Sequence, residues 1–219
     1  LYSGQMCTAP QNVYVPADGI ETDEGRKSYT EVGEGIAQGL QKLVGDDAKA
    51  VELLGGIVND GVLQRLESTP ASAEVVVESR TVKHPAFADA VVRTPTVLAL
   101  DAEDTAVYER ECFGPVSYLI RTPDSATSLD LFRATVNRHG AMTASVYSTS
   151  EGLVAAARSA ALDAGVALSE NLTGQIYVNQ SAAFSDFHGT GANPAANASF
   201  TDGAFVAGRF RIVQSRRHV

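Results

Sequence analysis

The sequence lacks the features that would tie a chain to a membrane, a nucleic acid or a disulfide framework. Its 219 residues include no Trp and only two Cys. No apolar run approaches the roughly 20 residues that a membrane helix needs. The net charge is −9, and this deficit of positive charge argues against nucleic-acid and anionic-membrane partners. With no leader peptide visible and at most one disulfide possible, we expect a reducing, cytoplasmic location.

The histidines are few and scattered, which argues against a metal site. They are His84, His139, His188 and His218. None makes a metal-ligand spacing with a second His or with Cys, so we predict no bound metal. The apolar content of 44% is nevertheless sufficient for a buried core.

Strand and helix signals alternate along the chain. Apolar and β-branched runs predict strands at 12–16, 73–79, 96–100, 116–121, 142–148 and 175–178. Apolar periodicity predicts helices at 28–44, 46–54, 59–67, from Ser125 or Ser128 onward, and at 150–164. The alternation predicts an α/β fold with an open, largely parallel sheet and helices on both faces. Its last part, from 116 to 178, reads as a run of right-handed crossover units.

Glycines at 33, 35 and 39 have the spacing G-x-G-x-x-x-G within the predicted helix 28–44. This spacing is not that of a dinucleotide-binding turn, and no strand precedes it. We therefore interpret these glycines as positions of close helix packing. The inner face of the same helix is predicted to carry Val32, Ile36, Leu40 and Leu43.

A cysteine at the start of the chain is the first candidate for chemistry. Cys7 lies between the glycine turn Ser3-Gly4-Gln5 and Pro10, just before the strand-like run 13–16. A thiol on such a turn can be accessible and lie near backbone N–H groups, as a covalent nucleophile requires. The alternative is a buried cysteine that acts as a small hydrophobe, which is the commoner fate of a free thiol.

Two further motifs accompany this cysteine. Residues 111–116 read Glu-Cys-Phe-Gly-Pro-Val, and residues 174–179 read Gly-Gln-Ile-Tyr-Val-Asn. Taken singly, Glu111 could be an ordinary exposed carboxylate, Phe113 a core residue and Asn179 a turn residue at a strand end. Cys112 is interpreted as packing, because it alternates to the opposite side of Glu111 if the turn is extended.

The order and spacing of the three motifs resemble the aldehyde dehydrogenase superfamily. In that family a Gly-Gln-x-Cys turn carries the nucleophile and a Glu-x-Phe-Gly-Pro turn meets the nicotinamide ribose. The resemblance implies that Cys7 is catalytic and that Glu111 and Phe113 bind the cofactor. It also implies a supporting role for four more residues, namely Gly4, Gln5, Pro115 and Asn179.

The resemblance implies an NAD(P)-dependent oxidation through a Cys7 thiohemiacetal and thioester. It covers only the C-terminal part of such an enzyme. The preceding nucleotide-binding domain, which would bind most of the NAD or NADP and supply a base and an oxyanion-hole asparagine, is expected upstream. On this interpretation residues 1–203 are the catalytic cysteine domain, and this part alone is inactive.

Two departures from the family pattern affect the substrate. Asn12 stands where the family often has Arg, and the segment 186–193 replaces a Pro-Phe-Gly-Gly-x-Lys segment. The run Cys-Thr-Ala-Pro-Gln-Asn and the ending 208–218 are similar to the ring-opening aldehyde dehydrogenases of phenylacetic acid degradation. That similarity implies a CoA-linked semialdehyde as substrate.

The end of the chain, 204–219, is predicted to be an oligomerisation strand. Its segment 205–214 partly alternates and follows a long loop. In the family resembled, the C-terminal strand extends a sheet across a subunit interface, which implies a homo-oligomer. The alternative is an edge strand of the domain's own sheet, protected by its arginines.

Two other functional classes remain open from the sequence. One is a self-contained cysteine acyl-transferase or hydrolase, although no His is placed by sequence to serve Cys7. The other is a non-catalytic α/β interaction module.

Overall fold

The structure is a computed structural model, and it describes residues 2–69, 73–174 and 215–218. Its helices are α1 (Tyr29–Val44), α2 (Asp47–Leu53), α3 (Asp60–Ser68), α4 (Thr105–Tyr108), α5 (Ser125–His139) and α6 (Glu151–Ala164). Its strands are β1 (Asn12–Pro16), β2 (Ile20–Thr22), β3 (Gly25–Lys27), β4 (Glu74–Val77), β5 (Thr81–Val82), β6 (Val92–Arg93), β7 (Thr96–Asp101), β8 (Val116–Thr122), β9 (Thr143–Val146), β10 (Ala167–Glu170) and β11 (Ser215–Arg217). None of the described helices combines the length and apolar character needed to cross a bilayer.

The described residues form two compact units. The N-terminal unit comprises residues 2–20, 26–69 and 73–124, and the C-terminal unit comprises 21–25, 125–174 and 215–218. The N-terminal unit contains a sheet of order β1-β8-β7-β4, in which β1, β8 and β7 are parallel and β4 is antiparallel to β7. The C-terminal unit contains the parallel sheet β11-β10-β9. The predicted α/β class with largely parallel pairing is therefore confirmed.

Helices cover both faces of the sheet in the N-terminal unit. Side chains alternate between the two faces along β7 and β8, because successive residues of a strand point to opposite sides. On one face the sheet packs against α3 and α4 through Val62, Leu66, Leu98, Leu100, Tyr108, Tyr118 and Ile120. On the other face it packs against α1 through Tyr29, Val32, Ile36, Leu40, Val97 and Leu119.

Helix α1 begins and ends where the sequence predicts. The Ser28 hydroxyl accepts the amide N–H of Glu31, and the Glu31 carboxylate accepts the amide N–H of Ser28 at 2.7 Å. This reciprocal cap satisfies two donors at the helix start. One predicted inner-face residue is wrong, since Leu43 is 57% exposed. The buried residue in the last turn is Val44, which lies four positions after Leu40 and thus on the same stripe.

One of the three helical glycines is a site of close packing, as predicted. A Cβ at Gly33 would lie 3.3 Å from the Leu119 side chain, so α1 approaches the sheet closely there. A Cβ at Gly35 or Gly39 would meet nothing within 4 Å, so packing does not account for those two positions.

One step of the predicted run of crossovers from 116 to 178 is wrong, namely that from the strand 116–121 to the strand 142–148. Both edges of β8 are hydrogen-bonded, one to β1 and the other to β7, so β8 has no free edge for the strand 143–146. That strand, β9, pairs with β10 instead. The sequence analysis missed β10 because its residues, Ala-Leu-Ser-Glu, are not β-branched. The predicted strand 175–178 lies outside the described residues.

In the C-terminal unit, α5 and α6 pack on β9 and β10. The predicted inner face of α5, Leu129, Phe132 and Val136, is confirmed as part of this core. Helix α6 has its N-cap at Ser150 and ends at Gly165, which adopts the left-handed conformation.

Among the described strands, β11 at the end of the chain lies at the edge of the C-terminal sheet. β11 pairs in parallel with β10, with Ser215 opposite Leu168. The segment 205–214 and the predicted boundary between 203 and 204 lie outside the described residues. The predicted role of the chain end in forming a homo-oligomer stays a prediction.

A buried carboxylate fastens β11 to this sheet. The Glu170 side chain is 1% exposed and accepts two hydrogen bonds from the Arg158 guanidinium, both of 2.8 Å. It also accepts the Ser215 hydroxyl. The Arg158 hydrogen bond, followed by that of Ser215, holds the pKa of Glu170 below its ordinary value against the opposing effect of burial.

We expect Glu170→Gln to lower the free energy of unfolding by about 2 kcal/mol at pH 7, because a charge-assisted pair is lost. A carboxylate with a depressed pKa stabilises the fold above its unfolded pKa of about 4.3, and this contribution disappears as pH falls through the folded pKa. The difference between variant and wild type in chemical denaturation should therefore shrink below pH 4.

The matched control is Glu151→Gln, which removes the exposed partner of Arg217 and should change the free energy of unfolding by no more than about 0.5 kcal/mol. A loss in Glu170→Gln that is equal at pH 7 and pH 3 would contradict this account.

Candidate active site

Two turns lie at the same edge of one sheet. They are the cysteine turn, residues 3–10, and the glutamate turn, residues 111–115. Cys7 precedes β1, and Glu111 precedes β8. These two strands are parallel neighbours, with Asn12 opposite Tyr118. Because parallel neighbours begin at the same edge, the segments that lead into them meet there. The sequence predicted both turns but could not show that they are neighbours.

Gly4 is in direct backbone contact with the Gly-Pro part of the second turn. A Cβ on Gly4 would lie 2.2 Å from the carbonyl oxygen of Gly114 and 3.0 Å from the nitrogen of Pro115. Gly4 also has a φ of +64°, a conformation that L side chains rarely adopt. Only glycine fits at this position, and the supporting role predicted for Gly4 and Pro115 stays a prediction.

Side-chain hydrogen bonds hold the cysteine turn in place. Tyr2 and Ser3 have φ values of 51° and 55°, which cost about 1–3 kcal/mol each for residues with a Cβ. The Ser3 hydroxyl is buried and donates to the Gly55 carbonyl at 2.7 Å. The Gln5 amide nitrogen donates to the Gly56 carbonyl at 3.0 Å. Gln5 thus ties the turn to the segment between α2 and α3.

Cys7 is exposed at the tip of a second, tight turn. The amide of Ala9 donates to the carbonyl of Met6 at 3.0 Å, which makes Cys7 and Thr8 the central residues of a β-turn. The thiol is free and accessible to a reactant. The alternative of a cysteine that serves as a buried hydrophobe does not apply to Cys7.

The glutamate turn alternates between solvent and core. Glu111 and Phe113 are exposed, and Phe113 retains 39% of its surface. Cys112 between them is buried in the cluster that includes Tyr118. Burial raises the pKa of the Tyr118 phenol, and the neighbouring Cys112 acts in the same direction. The interpretation of Cys112 as packing is confirmed.

The end of the glutamate turn is fixed by three contacts, two from α3 and one from β7. The Arg65 guanidinium donates to the Phe113 carbonyl at 2.9 Å. A Cβ on Gly114 would lie 2.8 Å from the Val62 side chain of α3. The carbonyl of Pro115 accepts the amide of Thr96, the first residue of β7, at 2.9 Å.

Gln11 and Asn12 bind the segment 108–112, and the sequence analysis assigned them no such role. The Gln11 amide nitrogen donates to the carbonyls of Tyr108 (3.0 Å) and Arg110 (3.1 Å), and its oxygen accepts the amide of Cys112 (2.7 Å). The Asn12 amide donates to the Tyr108 carbonyl at 3.0 Å. The sequence contained one signal for these contacts, a pair of adjacent carboxamides at the start of the predicted strand 12–16.

Three further features of the sequence bear on the site, namely Asn179, the segment 186–193 and His84. Asn179 and the segment 186–193 fall outside the described residues. The Nδ1 atom of His84 accepts the amides of Ala86 and Phe87, both at 3.2 Å, so that nitrogen is not a base for Cys7. Within the described ranges, no group of His, Cys, Asp or Glu could hold a metal ion.

We expect Gly4→Ala to destabilise the protein by at least about 2 kcal/mol, because a Cβ would both clash and carry positive-φ strain. The rate at which iodoacetamide labels Cys7 should also change, since the turn must move away from Gly114. Thermal unfolding and peptide mass spectrometry measure the two effects.

Gly35→Ala is the matched control. Its Cβ would meet nothing within 4 Å, and in the interior of α1 it should stabilise the protein by up to about 1 kcal/mol. If the two variants behaved alike, the contact between Gly4 and Gly114 would not constrain the structure.

Sequence comparison places this arrangement in a known family. The model of the aldehyde dehydrogenase family matches residues 1–191. The crystal structure of an NAD-dependent aldehyde dehydrogenase from Burkholderia multivorans is similar over 100% of this chain, with 59% identity and a TM-score of 0.83. The chain spans 39% of the length of that relative. No functionally curated protein matches the chain.

More distant structures share the fold alone. Aldehyde dehydrogenase C from Pseudomonas syringae is 21% identical, with a TM-score of 0.54 over 78% of this chain and 34% of its own. The 1-pyrroline-5-carboxylate dehydrogenase of Thermus thermophilus is also 21% identical, with a TM-score of 0.54 over 78% of this chain and 30% of its own. From the family match and the 59% identical structure, the chain belongs to the aldehyde dehydrogenase family.

Proposed function

We propose that this chain is the cysteine-bearing catalytic part of an NAD(P)-dependent aldehyde dehydrogenase. The observation that carries the proposal is the exposed Cys7 turn, held by backbone contact at Gly4 against the turn that presents Glu111 and Phe113. Since the chain spans only part of its relatives, the remaining part of the active site would come from further chain. The chain alone should then be inactive.

Cys7 is the proposed nucleophile. Its thiolate adds to the aldehyde carbon, and the carbonyl oxygen becomes the oxyanion of a thiohemiacetal, held in part by the Cys7 backbone N–H. Loss of hydride from that carbon leaves a thioester on the sulfur. Water then adds to the thioester, the acid departs and the thiolate is restored. Exposure of the thiol on a turn supports this role, because aldehyde must reach the sulfur and water must reach the acyl carbon attached to it.

Glu111 and Phe113 fit a nicotinamide nucleotide. An exposed carboxylate is a pure acceptor and can bind two adjacent ribose hydroxyls. The exposed Phe113 ring offers an apolar wall for the nicotinamide and the substrate. When bound, the nicotinamide would accept the hydride. The role of this chain is to hold the ribose at Glu111 and to keep the aldehyde carbon near Cys7.

The proposed substrate is a CoA-linked semialdehyde of phenylacetate degradation. The run Cys-Thr-Ala-Pro-Gln-Asn at 7–12, similar to ring-opening enzymes, supports this class. The kcat/KM of the full-length protein for such a semialdehyde should exceed that for the corresponding free aldehyde, because the CoA part adds binding energy away from the reacting carbon. Equal values would remove the CoA-linked class but leave the aldehyde oxidation standing.

We expect Cys7→Ala in the full-length protein to abolish turnover of aldehyde, since no thiohemiacetal can form. The control is Cys112→Ala, which removes the other thiol of this chain and should retain activity with somewhat lower stability. The measurement is reduction of NAD or NADP under saturating aldehyde. Undiminished turnover in Cys7→Ala would contradict the proposal.

We expect Glu111→Gln to raise the KM for the cofactor about tenfold, because a neutral amide is a weaker partner for two hydroxyl donors. The labelling rate of Cys7 should stay unchanged. Glu103→Gln, which neutralises another exposed carboxylate, is the control and should match wild type. A cofactor KM that is the same in all three proteins would exclude Glu111 as a cofactor ligand.

A further inference from the structure

Two carboxamides form a bridge between the cysteine turn and the glutamate turn. Gln11 and Asn12 follow the cysteine turn, and their side chains bind the backbone of the segment 108–112 that contains Glu111. Gln11 contacts it on both sides of Glu111, whereas Asn12 contacts only the Tyr108 carbonyl. We propose that Gln11 and Asn12 are positioning residues that fix the Glu111 turn relative to Cys7. This amide bridge rests on the role proposed above for Glu111.

Gln11 brackets Glu111 with both ends of one carboxamide. Its nitrogen donates to the carbonyl of Arg110, the residue before Glu111, at 3.1 Å. Its oxygen accepts the amide of Cys112, the residue after Glu111, at 2.7 Å. The backbone is therefore held on both sides of the residue that would meet the cofactor. Only a group that donates and accepts can make this pair of contacts, which a carboxylate or an ammonium cannot.

Both carboxamides also donate hydrogen bonds to the carbonyl at the end of α4. Tyr108 is the last residue of this short helix, and the last carbonyls of a helix have no partner within it. The Tyr108 carbonyl accepts the Gln11 and Asn12 amides, each at 3.0 Å. Since Tyr108 itself is fully buried in the core, the bridge joins the glutamate turn to a rigid anchor.

The other end of the bridge is fastened to the sheet. The carbonyl of Gln11 accepts the amide of Tyr118 at 2.7 Å, and Asn12 begins β1. The bridge therefore lies between two fixed elements, β1 and α4, and the span from Cys7 to Gln11 is only four residues. A shift of the glutamate turn would break contacts at both carboxamides, so the nucleophile and the cofactor ligand share one support.

A nearby hydrogen bond provides a matched control. The Ser117 hydroxyl donates to the carbonyl of Pro10 at 2.9 Å. It also links the cysteine segment to β8, but this contact does not involve residues 108–112. Removing it tests whether any loss of a link between the two segments has the same effect.

The first experiment measures the glutamate turn without relying on activity. In the full-length protein, mass spectrometry follows the labelling of the buried Cys112 by iodoacetamide. We expect labelling to be about tenfold faster in Gln11→Ala than in wild type. This factor corresponds to the free energy of one or two lost hydrogen bonds. Ser117→Ala should match wild type. Unchanged labelling of Cys112 in Gln11→Ala would overturn the bridge.

Gln11→Glu guards against a variant that fails to fold. This variant keeps the length of the side chain and the oxygen that accepts the Cys112 amide, but it places a carboxylate against the carbonyls of Tyr108 and Arg110. Faster Cys112 labelling is expected here too, and labelling at the wild-type rate in both Gln11 variants would again overturn the bridge.

The second experiment tests whether the bridge acts through Glu111. Gln11→Ala should raise the KM for the cofactor about tenfold with little change in kcat at saturating cofactor. In the Glu111→Gln background, Gln11→Ala should add nothing, because the ligand that it positions is already impaired. Additive increases in KM would show that Gln11 acts independently and would contradict the inference.

The two experiments separate the bridge from the proposed function. A cofactor KM unaffected by Glu111→Gln would overturn the cofactor role of Glu111, and with it the functional purpose of the bridge. Cys112 labelling decides in the same protein whether Gln11 holds the turn at all.

Discussion

The contact between the backbone of Gly4 and the backbone of Gly114 and Pro115 is the constraint on which the site depends. It brings together two turns that are about a hundred residues apart in the chain. The contact is possible because β1 and β8 are parallel neighbours that begin at the same edge of the sheet. A side chain on Gly4 would separate the turns, and the thiol and the carboxylate would no longer be held together.

Around this contact, the residues with a proposed chemical role are exposed, and the residues that support them are buried or hydrogen-bonded. Cys7, Glu111 and Phe113 face solvent, where a substrate and a cofactor can reach them. Their supports are buried or bound, as the Ser3 hydroxyl on Gly55 and the Gln11 carboxamide around Glu111 show. The two thiols of the chain follow the same division, because Cys112 packs in the core. In the candidate site, the residues proposed to react or to bind the cofactor are thus exposed, and the residues that hold them are buried or hydrogen-bonded.

The sequence predicted well what depends on local signals. Helix α1 lies at the bounds that its apolar periodicity predicted, and the apolar runs at β1, β7 and β8 are strong enough to identify strands. The pairing of the strands was not predictable, because the residues of a strand do not show which other strand it will pair with. β10 has no β-branched residue, and the place of β8 between β1 and β7 excludes the predicted crossover to β9. In the candidate site, motifs pointed to Cys7 and Glu111, whereas the hydrogen bonds of Gln11 to the segment 108–112 appeared only in the structure.

The most direct test of the account is to identify which sulfur carries the acyl group during turnover. The full-length protein is mixed with NAD or NADP and an aldehyde whose thioester hydrolyses slowly, quenched in acid and digested for peptide mass spectrometry. The account predicts an acyl adduct on the peptide that contains Cys7, formed only when both aldehyde and cofactor are present. An adduct on Cys112, or acid production with Cys7 unmodified throughout turnover, would contradict it.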